Sequence, residues 1–314
     1  MVRLKRNLTE GGLMRISYSA FQTYNLCPLK YKFQYIDWIK TPEKPEFFFG
    51  GLIHEVIQMA LRRDPIIPKT ADLIKYYESK WRESVFPDKL TSDQYLKLGR
   101  QMIKNFHESY KPGLRKVVAA EKRFQIPLEN HTLSGIIDRV DKLPFGAYEI
   151  VDYKTSKSLP SQEEVDADKQ LATYAIAVQE LWPEAKDIRL TLHFLKHNSM
   201  ITTARTQIQI EAMKKEIADT ADKISKTKTF KACENKFCDW CEYKHLCPAQ
   251  SGKLKAQSKE EIINTIVKDY IYSYNKIAEL TPKIQAHFDA EKIKELKTDA
   301  GTITRDDARN LWVE

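Results

Sequence analysis

Residues Leu133–Ser156 read LSGIIDRVDKLPFGAYEIVDYKTS. Apolar and polar side chains alternate on both sides of Pro144-Phe145-Gly146-Ala147, the period-2 pattern of two strands paired around a turn. Alternate residues of a strand point to one side, so Asp152 and Lys154 share a face with Ile150. Asp138 on the first strand can meet them across the pair. Two carboxylates and one ammonium thus converge on a small patch, which is costly to bury without a metal ion or another charged partner. Mg²⁺ and Mn²⁺ take carboxylate oxygens and fill their remaining positions with water. A lysine beside such an ion can orient a water or steady charge on a phosphate, completing the parts of metal-assisted phosphodiester hydrolysis. A solvent-facing hairpin with an ordinary Asp–Lys pair has the same spacing, so the rest of the chain must separate the two readings.

At 314 residues the chain can hold one large domain or two small ones. A hydrophobic fraction of 42% with 30% charged residues suits a globular protein with a substantial core. No apolar run is long enough to cross a bilayer, and the basic start MVRLKRNLTEGGLMRIS lacks the apolar segment of a secretory signal. The expectation is a cytoplasmic protein without a membrane partner. A net charge of +8 permits a polyanionic partner, although the basic residues are spread along the chain. Four of the five cysteines crowd into 233–247, which in a cytosolic chain favours metal or cluster ligation over disulfides.

Around Ile16–Trp38, Ser17 or Ser19 can cap a helix, with Ser19-x-x-Gln22 as a capping box. Cys27-Pro28 follows; taken alone, Cys27 reads as a small buried hydrophobe. Gly50-Gly51 leads into a helix bearing His54, a residue that is structural or exposed in most helices. Residues 64–115 carry helical patterns over Thr70–Trp81 and Ser92–Tyr110, a helical insertion that walls the site. Tyr76, Tyr77, Tyr95 and Tyr110 there read as packing residues before base-stacking ones. Val117–Leu128 is a strand bearing Glu121, an edge carboxylate on its own terms. After Lys154 a polar loop feeds a helix in which Gln170 and Tyr174 stand at i and i+4, on one face. Asp187–Phe194 and Met200–Ile210 read as strands, and Glu211–Thr227 as an amphipathic helix. Cys233, Cys238, Cys241 and Cys247 could form a local zinc site. Beyond 250 the pattern is lysine-rich and helical, over Lys259–Lys276 and Pro282–Leu296, with a strand-turn-strand around Gly301.

Gly135-x-x-Asp138-Arg139-x-Asp141 followed by Asp152-Tyr153-Lys154 resembles the core of the PD-(D/E)XK nuclease superfamily. Within it the chain resembles the RecB-like exonucleases, a group that includes CRISPR-associated and phage-encoded members. The resemblance spans about residues 16–250. It implies a restriction-endonuclease-like α/β fold, a mixed sheet flanked by helices with a helical insertion. Gly51-x-x-His54 matches the position whose imidazole joins Asp138 and Asp152 on Mg²⁺ or Mn²⁺, and imidazole ligation favours manganese. Glu121 matches an outer-shell or second-ion ligand, Lys154 the residue that positions the attacking water, and Gln170-x-x-x-Tyr174 the pair that orients the strand or the lysine. Many members have glutamate where this chain has Asp152, which leaves one or two metal ions open. An early Cys-Pro, then Cys-x-x-Cys and a final Cys-Pro, is similar to the iron–sulfur subgroup. That implies a [4Fe–4S] cluster on Cys27, Cys238, Cys241 and Cys247, stapling the first helix to the far end of the core; Cys233 keeps Zn²⁺ as the alternative.

The implied domains are a nuclease domain over 1–250 and a helical extension over 251–314. The implied activity is metal-dependent cleavage of DNA, exonucleolytic and on single strands or ends, in recombination, repair, phage or CRISPR processing. Two other classes stay open: a nucleic-acid-binding subunit that needs a protein partner to cut, and a zinc-stabilised interaction protein. No helicase motif is present.

Overall fold

The computed structural model describes residues 14–110, 115–250, 259–298, 301–307 and 309–313. The chain divides into two units, Met1–Tyr243 and Lys244–Glu314. The division precedes the expected one at residue 250 and puts Cys247 in the second unit. The basic start up to Leu13 lies outside the described residues.

The first unit opens with β1 (Arg15–Ser17), α1 (Tyr18–Leu26) and α2 (Pro28–Tyr31), which continues as a π-helical turn over Lys32–Ile36. Of the two serines considered as caps, it is Ser17 whose hydroxyl accepts the Ala20 N–H, at 3.2 Å. Next come α3 (Pro45–Leu61), α4 (Thr70–Ser79) and α5 (Lys89–Ser109). α3 starts at Pro45, several residues before the expected glycine pair, because a proline fits the first turn of a helix. The strands β2 (Lys116–Leu128), β3 (His131–Lys142) and β4 (Ala147–Lys154) follow, then α6 (Gln162–Asp166), α7 (Lys169–Leu181), β5 (Asp187–Phe194), β6 (Ser199–Thr203) and α8 (Gln207–Lys226). The pattern reading ran β6 on to Ile210. Instead, Thr206 and Gln209 form a reciprocal capping box, so the chain turns into α8 at Gln207.

The six strands make one mixed sheet in the order β1-β3-β4-β5-β6, with β2 paired to β3 along its other edge. β3 and β4 are the antiparallel hairpin read from the sequence. Phe145 and Gly146 turn the chain there in left-handed conformations, which glycine adopts freely. α6 and α7 cross over to bring β5 back parallel to β4.

One detail of this sheet positions the site. β2 covers the whole of one edge of β3. On the other edge, β1 covers only Thr132–Ser134 and β4 only Arg139–Lys142. Residues 135–138 have no strand neighbour on that side, so the edge holds a gap with β1 at one end and β4 at the other.

Helices cover both faces. One apolar cluster joins Leu133, Ile137, Ile150 and Leu190 of the sheet to Leu171 and Val178 of α7 and Ile217 and Ala221 of α8. The other joins Val151 and Tyr153 to Ile53 and Ile57 of α3, Leu73 and Tyr77 of α4, and Met102, Ile103 and Phe106 of α5. Each such buried aliphatic or aromatic side chain contributes about 1.5–3 kcal/mol. The 64–115 insertion therefore carries its own apolar face onto the sheet. Tyr77 and Tyr110 are buried in this packing, as expected.

The second unit is not all helical. α9 (Lys259–Glu291) runs unbroken where two helices were expected, with Pro282 inside it. β7 (Glu295–Thr298), β8 (Gly301–Arg305) and β9 (Leu311–Val313) then form an antiparallel sheet. The first two are the strand-turn-strand read around Gly301. Among the described residues no helix is long and apolar enough to cross a membrane.

Candidate active site

The β3–β4 ladder ends at Arg139↔Val151, so Asp138 and Asp152 are the first residues beyond the last pair. The strands fork there. Asp138 Oδ2 accepts the backbone N–H of Tyr153 at 2.9 Å, which fixes the carboxylate in the fork. α3 approaches from one face and sets His54 Nδ1 3.3 Å from Asp138 Oδ2 and 3.8 Å from Glu121 Oε1.

Glu121 lies opposite Asp138 in the β2–β3 register, between the pairs Ala120↔Arg139 and Lys122↔Ile137. Its φ is +50°, a left-handed conformation for a side-chain-bearing residue within a strand, at a cost of about 1–3 kcal/mol. Ligand atoms of His54, Glu121 and Asp138 all lie within 4.8 Å of one another, the one such group of three among the described residues.

Asp152 is 3% exposed; it accepts a hydrogen bond from Tyr174 of α7 and lies within the electrostatic reach of His54 and Asp138. Its Oδ2 is 2.6 Å from Lys154 Nζ, in an ion pair that lacks the direction of a hydrogen bond. Lys154 Nζ donates to Gln170 Oε1 at 2.9 Å, Gln170 Nε2 donates to the Tyr174 hydroxyl at 2.9 Å, and that hydroxyl donates to Asp152 Oδ1 at 3.2 Å. The four side chains close a ring that holds the ammonium in place. The i, i+4 pair on α7 thus acts on the lysine and its carboxylate.

The electrostatics of the fork call for a cation. Burial opposes charge on His54, yet its contacts with Asp138 and Glu121 and the field of Asp152 raise its pKa to about 10. Burial also pushes the Asp152 carboxyl up; Lys154 pulls it down, while Asp138 adds to the rise. Burial works against the Lys154 ammonium, but Asp152 outweighs it. A proton on His54 thus neutralises part of a crowded negative site, and a divalent ion on the same oxygens and nitrogen would do so more fully. His54, Glu121 and Asp138 fit such an ion by donor type and spacing, with Asp152 beside them.

The Arg139 and Asp141 of the Asp-Arg-x-Asp motif do not reach the fork. Arg139 Nε donates to Asp141 Oδ1 at 2.7 Å and Nη1 to the Tyr153 hydroxyl at 3.1 Å, all of it buried. They lock Tyr153, whose N–H holds Asp138. Sequence reasoning passed over Tyr153, because its role rests on a backbone hydrogen bond and leaves no side-chain signal.

The cysteines are all free thiols. Cys27 ends α1 and begins α2, and its Sγ accepts the Cys233 N–H at 3.4 Å. Asn235 N donates to Cys238 Sγ at 3.3 Å, and the Asn235 amide donates to Leu26 O at 3.3 Å. Burial, and to a lesser degree Cys27, push the Cys241 thiol up. Glu242 pairs with Lys30 and Lys44, each at 2.9 Å; burial opposes its charge but the two ammoniums hold its pKa at about 2. The 231–242 segment is therefore lashed to the α1–α2 corner. Free thiols are the donor type of both a cluster and a zinc site, but among the described residues no three of the cysteines have sulfurs within 4.8 Å of one another, the closeness that zinc requires. Asn235, Lys30, Lys44 and Glu242 had no signal in the sequence.

The sequence profile of the PD-(D/E)XK nuclease superfamily matches residues 15–248. An ATP-dependent helicase/deoxyribonuclease subunit from Streptococcus agalactiae is 25% identical over 162 residues, 49% of this chain and 15% of that protein. Its counterpart in Streptococcus uberis is 26% identical over 154 residues, 46% of this chain and 14% of that one. The similarity thus spans about one seventh of these relatives. Among solved structures, an exonuclease candidate from Eubacterium rectale superposes with a TM-score of 0.45 at 12% identity, covering 73% of this chain and 87% of that one.

Proposed function

The chain belongs to the PD-(D/E)XK nuclease superfamily, and from that premise we propose that it is a divalent-metal-dependent deoxyribonuclease acting on single-stranded DNA or DNA ends. The observation that carries the reading is the fork itself. His54, Glu121 and Asp138 stand within ligand distance of one another, beside an Asp152–Lys154 pair held by Gln170 and Tyr174.

His54, Glu121 and Asp138 would hold Mg²⁺ or Mn²⁺, with Asp152 as a further oxygen donor. Bound there, the ion supplies Lewis acidity toward a phosphate oxygen and a water of lowered pKa. The protein does the rest. Lys154 Nζ, fixed by Gln170, orients the attacking water and steadies charge on the phosphate. Tyr174 holds Asp152 in the rotamer that faces the lysine. Tyr153 N–H keeps Asp138 aimed into the fork. Cys27, Cys238, Cys241 and Cys247 would carry a [4Fe–4S] cluster with a structural role, and zinc on the local cysteines is the alternative. The domain reading goes with this: a nuclease domain to about residue 250 and a separate appendage beyond it. Recombination, repair, phage or CRISPR processing of DNA is the setting.

A second reading has one observation in its favour. The curated relatives are named as subunits, so this chain too could bind DNA and cut only with a protein partner.

The test is cleavage of end-labelled linear single-stranded DNA, with a circular control, in Mn²⁺, Mg²⁺ and EDTA. Loss of the linear strand alone, requiring metal and abolished by Lys154→Ala, is the expected result. Cutting of the circle would make the enzyme an endonuclease. DNA binding without cleavage by anaerobically prepared wild-type protein would leave the partner-dependent reading in front.

A further inference from the structure

The ligand group occupies only the β4 end of the gap along β3. The β1 end opens into a cavity of about 320 Å³ whose walls include Arg15, Tyr35, Trp38, Arg123, Gln125 and Ile136. Ile136 is two residues from Asp138 and Arg123 two residues from Glu121, a separation of about 7 Å along a strand. The volume is in the range of small-molecule pockets.

Two features of this cavity have no packing explanation. Trp38 is 56% exposed, yet it sits at φ +55°, a conformation that a bulky side chain adopts only where its surroundings impose it. It follows the π-helical turn at Lys32–Ile36, a rare element that is frequent at functional sites. Arg15 and Arg123 are both exposed, and neither guanidinium is paired with a carboxylate among the described residues. The floor is flat at Gly135, where a Cβ would come within 2.6 Å of the Phe124 ring.

We propose that this cavity is a nucleotide subsite. It takes one unpaired nucleotide of the strand whose neighbouring phosphate lies at the fork. Trp38 and Tyr35 stack on the base, and Arg15 and Arg123 hold phosphate oxygens. A base stacked on an indole has left its pairing partner, so the subsite selects single strands over duplex. The proposal rests on the nuclease reading and adds to it the means of strand selection.

The experiment uses the full chain in EDTA, where cleavage is suppressed, and a fluorescein-labelled single-stranded oligonucleotide read by anisotropy. Trp38→Ala weakens binding roughly 5- to 100-fold, and Trp38→Phe restores most of it. Arg123→Gln reduces the slope of log affinity against log salt by about 0.7. Binding of a blunt duplex changes less than binding of the single strand. Trp38→Gly takes φ +55° without strain, so it folds while lacking the platform and binds like Trp38→Ala. Thermal melts of each variant separate unfolding from loss of the contact. Affinities within twofold of wild type for all the variants, with the salt slope intact, would overturn the subsite. If the wild type binds and cuts while the variants match it, only the subsite falls. If the wild type neither binds nor cuts in any metal, the nuclease reading falls with it.

Discussion

The two places where this chain gathers side chains of the types that ligate metals are built in opposite ways. At the fork, His54, Glu121, Asp138, Asp152 and Lys154 stand on a helix and three strands, and register and packing aim each one. At the cysteine segment, the thiols sit on short turns and loops, with Cys233 exposed and Cys27, Cys238 and Cys241 half-buried. Ring contacts of Phe230 with Tyr31 and of Tyr243 with Phe33 flank that segment, and N–H···S contacts and the Lys30–Glu242–Lys44 pairs hold it between them. The difference teaches that a preformed site gives catalysis its geometry, whereas a site made of loops gives its binding energy to folding.

The largest effect should come at the preformed site. Lys154→Ala removes the group that steadies the developing charge and leaves Asp152 buried without its counter-ion. A fall in cleavage rate of about 10²–10³-fold is expected, with the protein still folded. Gln170→Ala, which only frees the ammonium to move, should cost less. Equal losses from the two would mean that holding the lysine is as important as having it, and single-turnover rates decide that.

Metal removal separates the two regions in stability. Stripping divalent ions with EDTA should lower the thermal midpoint by the smaller amount, because His54 and Lys154 still neutralise part of the fork when the ion leaves. Cys27→Ser, on anaerobically prepared protein, should remove the iron and lower the midpoint by roughly 5–10 °C. A larger shift from EDTA than from the serine variant would invert the comparison. Iron analysis of both samples keeps the result unambiguous.

This contrast also explains what could be read from the sequence. The hairpin, β2 and the Gln170–Tyr174 face were legible because period-2 and i, i+4 spacing translate directly into geometry. Asp138 and Asp152 were legible as a pair. That Glu121 lies within ligand distance of His54 and Asp138 was legible only through the family resemblance, since in the structure it depends on strand register and on one left-handed residue. Likewise the Thr206 capping box overrode an apparent strand, and α9 ran through Pro282 where the proline pattern divides a helix. The gap between β1 and β4 leaves no mark in either strand taken singly.

Acid should loosen the two regions in order. His193 on β5 is buried, packs 5.6 Å from the Tyr153 ring, and burial lowers its pKa to about 4, with Arg139 adding a smaller push. Its folded pKa lies below the unfolded 6.5, so the unfolded chain takes the proton first. Stability is full above about pH 6.5 and falls as pH drops toward 4, by about 2 kcal/mol at pH 5 and about 3 in all. Glu242, held at about 2, depends on pH in the same direction but in a lower window: its contribution is full above the ordinary carboxylate range and fades as pH falls toward 2. Between pH 6.5 and 5 the loss should therefore track the sheet. Urea midpoints for wild type and His193→Asn measure it; an equally steep decline in the variant assigns the loss elsewhere.

The smallest effect tests whether preorganisation at the fork is held against local cost. Glu121 keeps a left-handed backbone within β2, and nothing about a strand requires that. Glu121→Ala removes the carboxylate and keeps the strain; Glu121→Gly removes both. Glycine gives up more freedom on folding than alanine, by roughly 0.5–1 kcal/mol, but gains back the cost of positive φ, about 1–3 kcal/mol. The glycine variant should therefore be the more stable of the two by about 1 kcal/mol, with cleavage reduced alike in both. If the alanine variant is the more stable, the conformation is not strained and the site has no such cost to bear. If both variants cleave as fast as the wild type, the carboxylate holds no ion, and the donor set at the fork reduces to His54, Asp138 and Asp152.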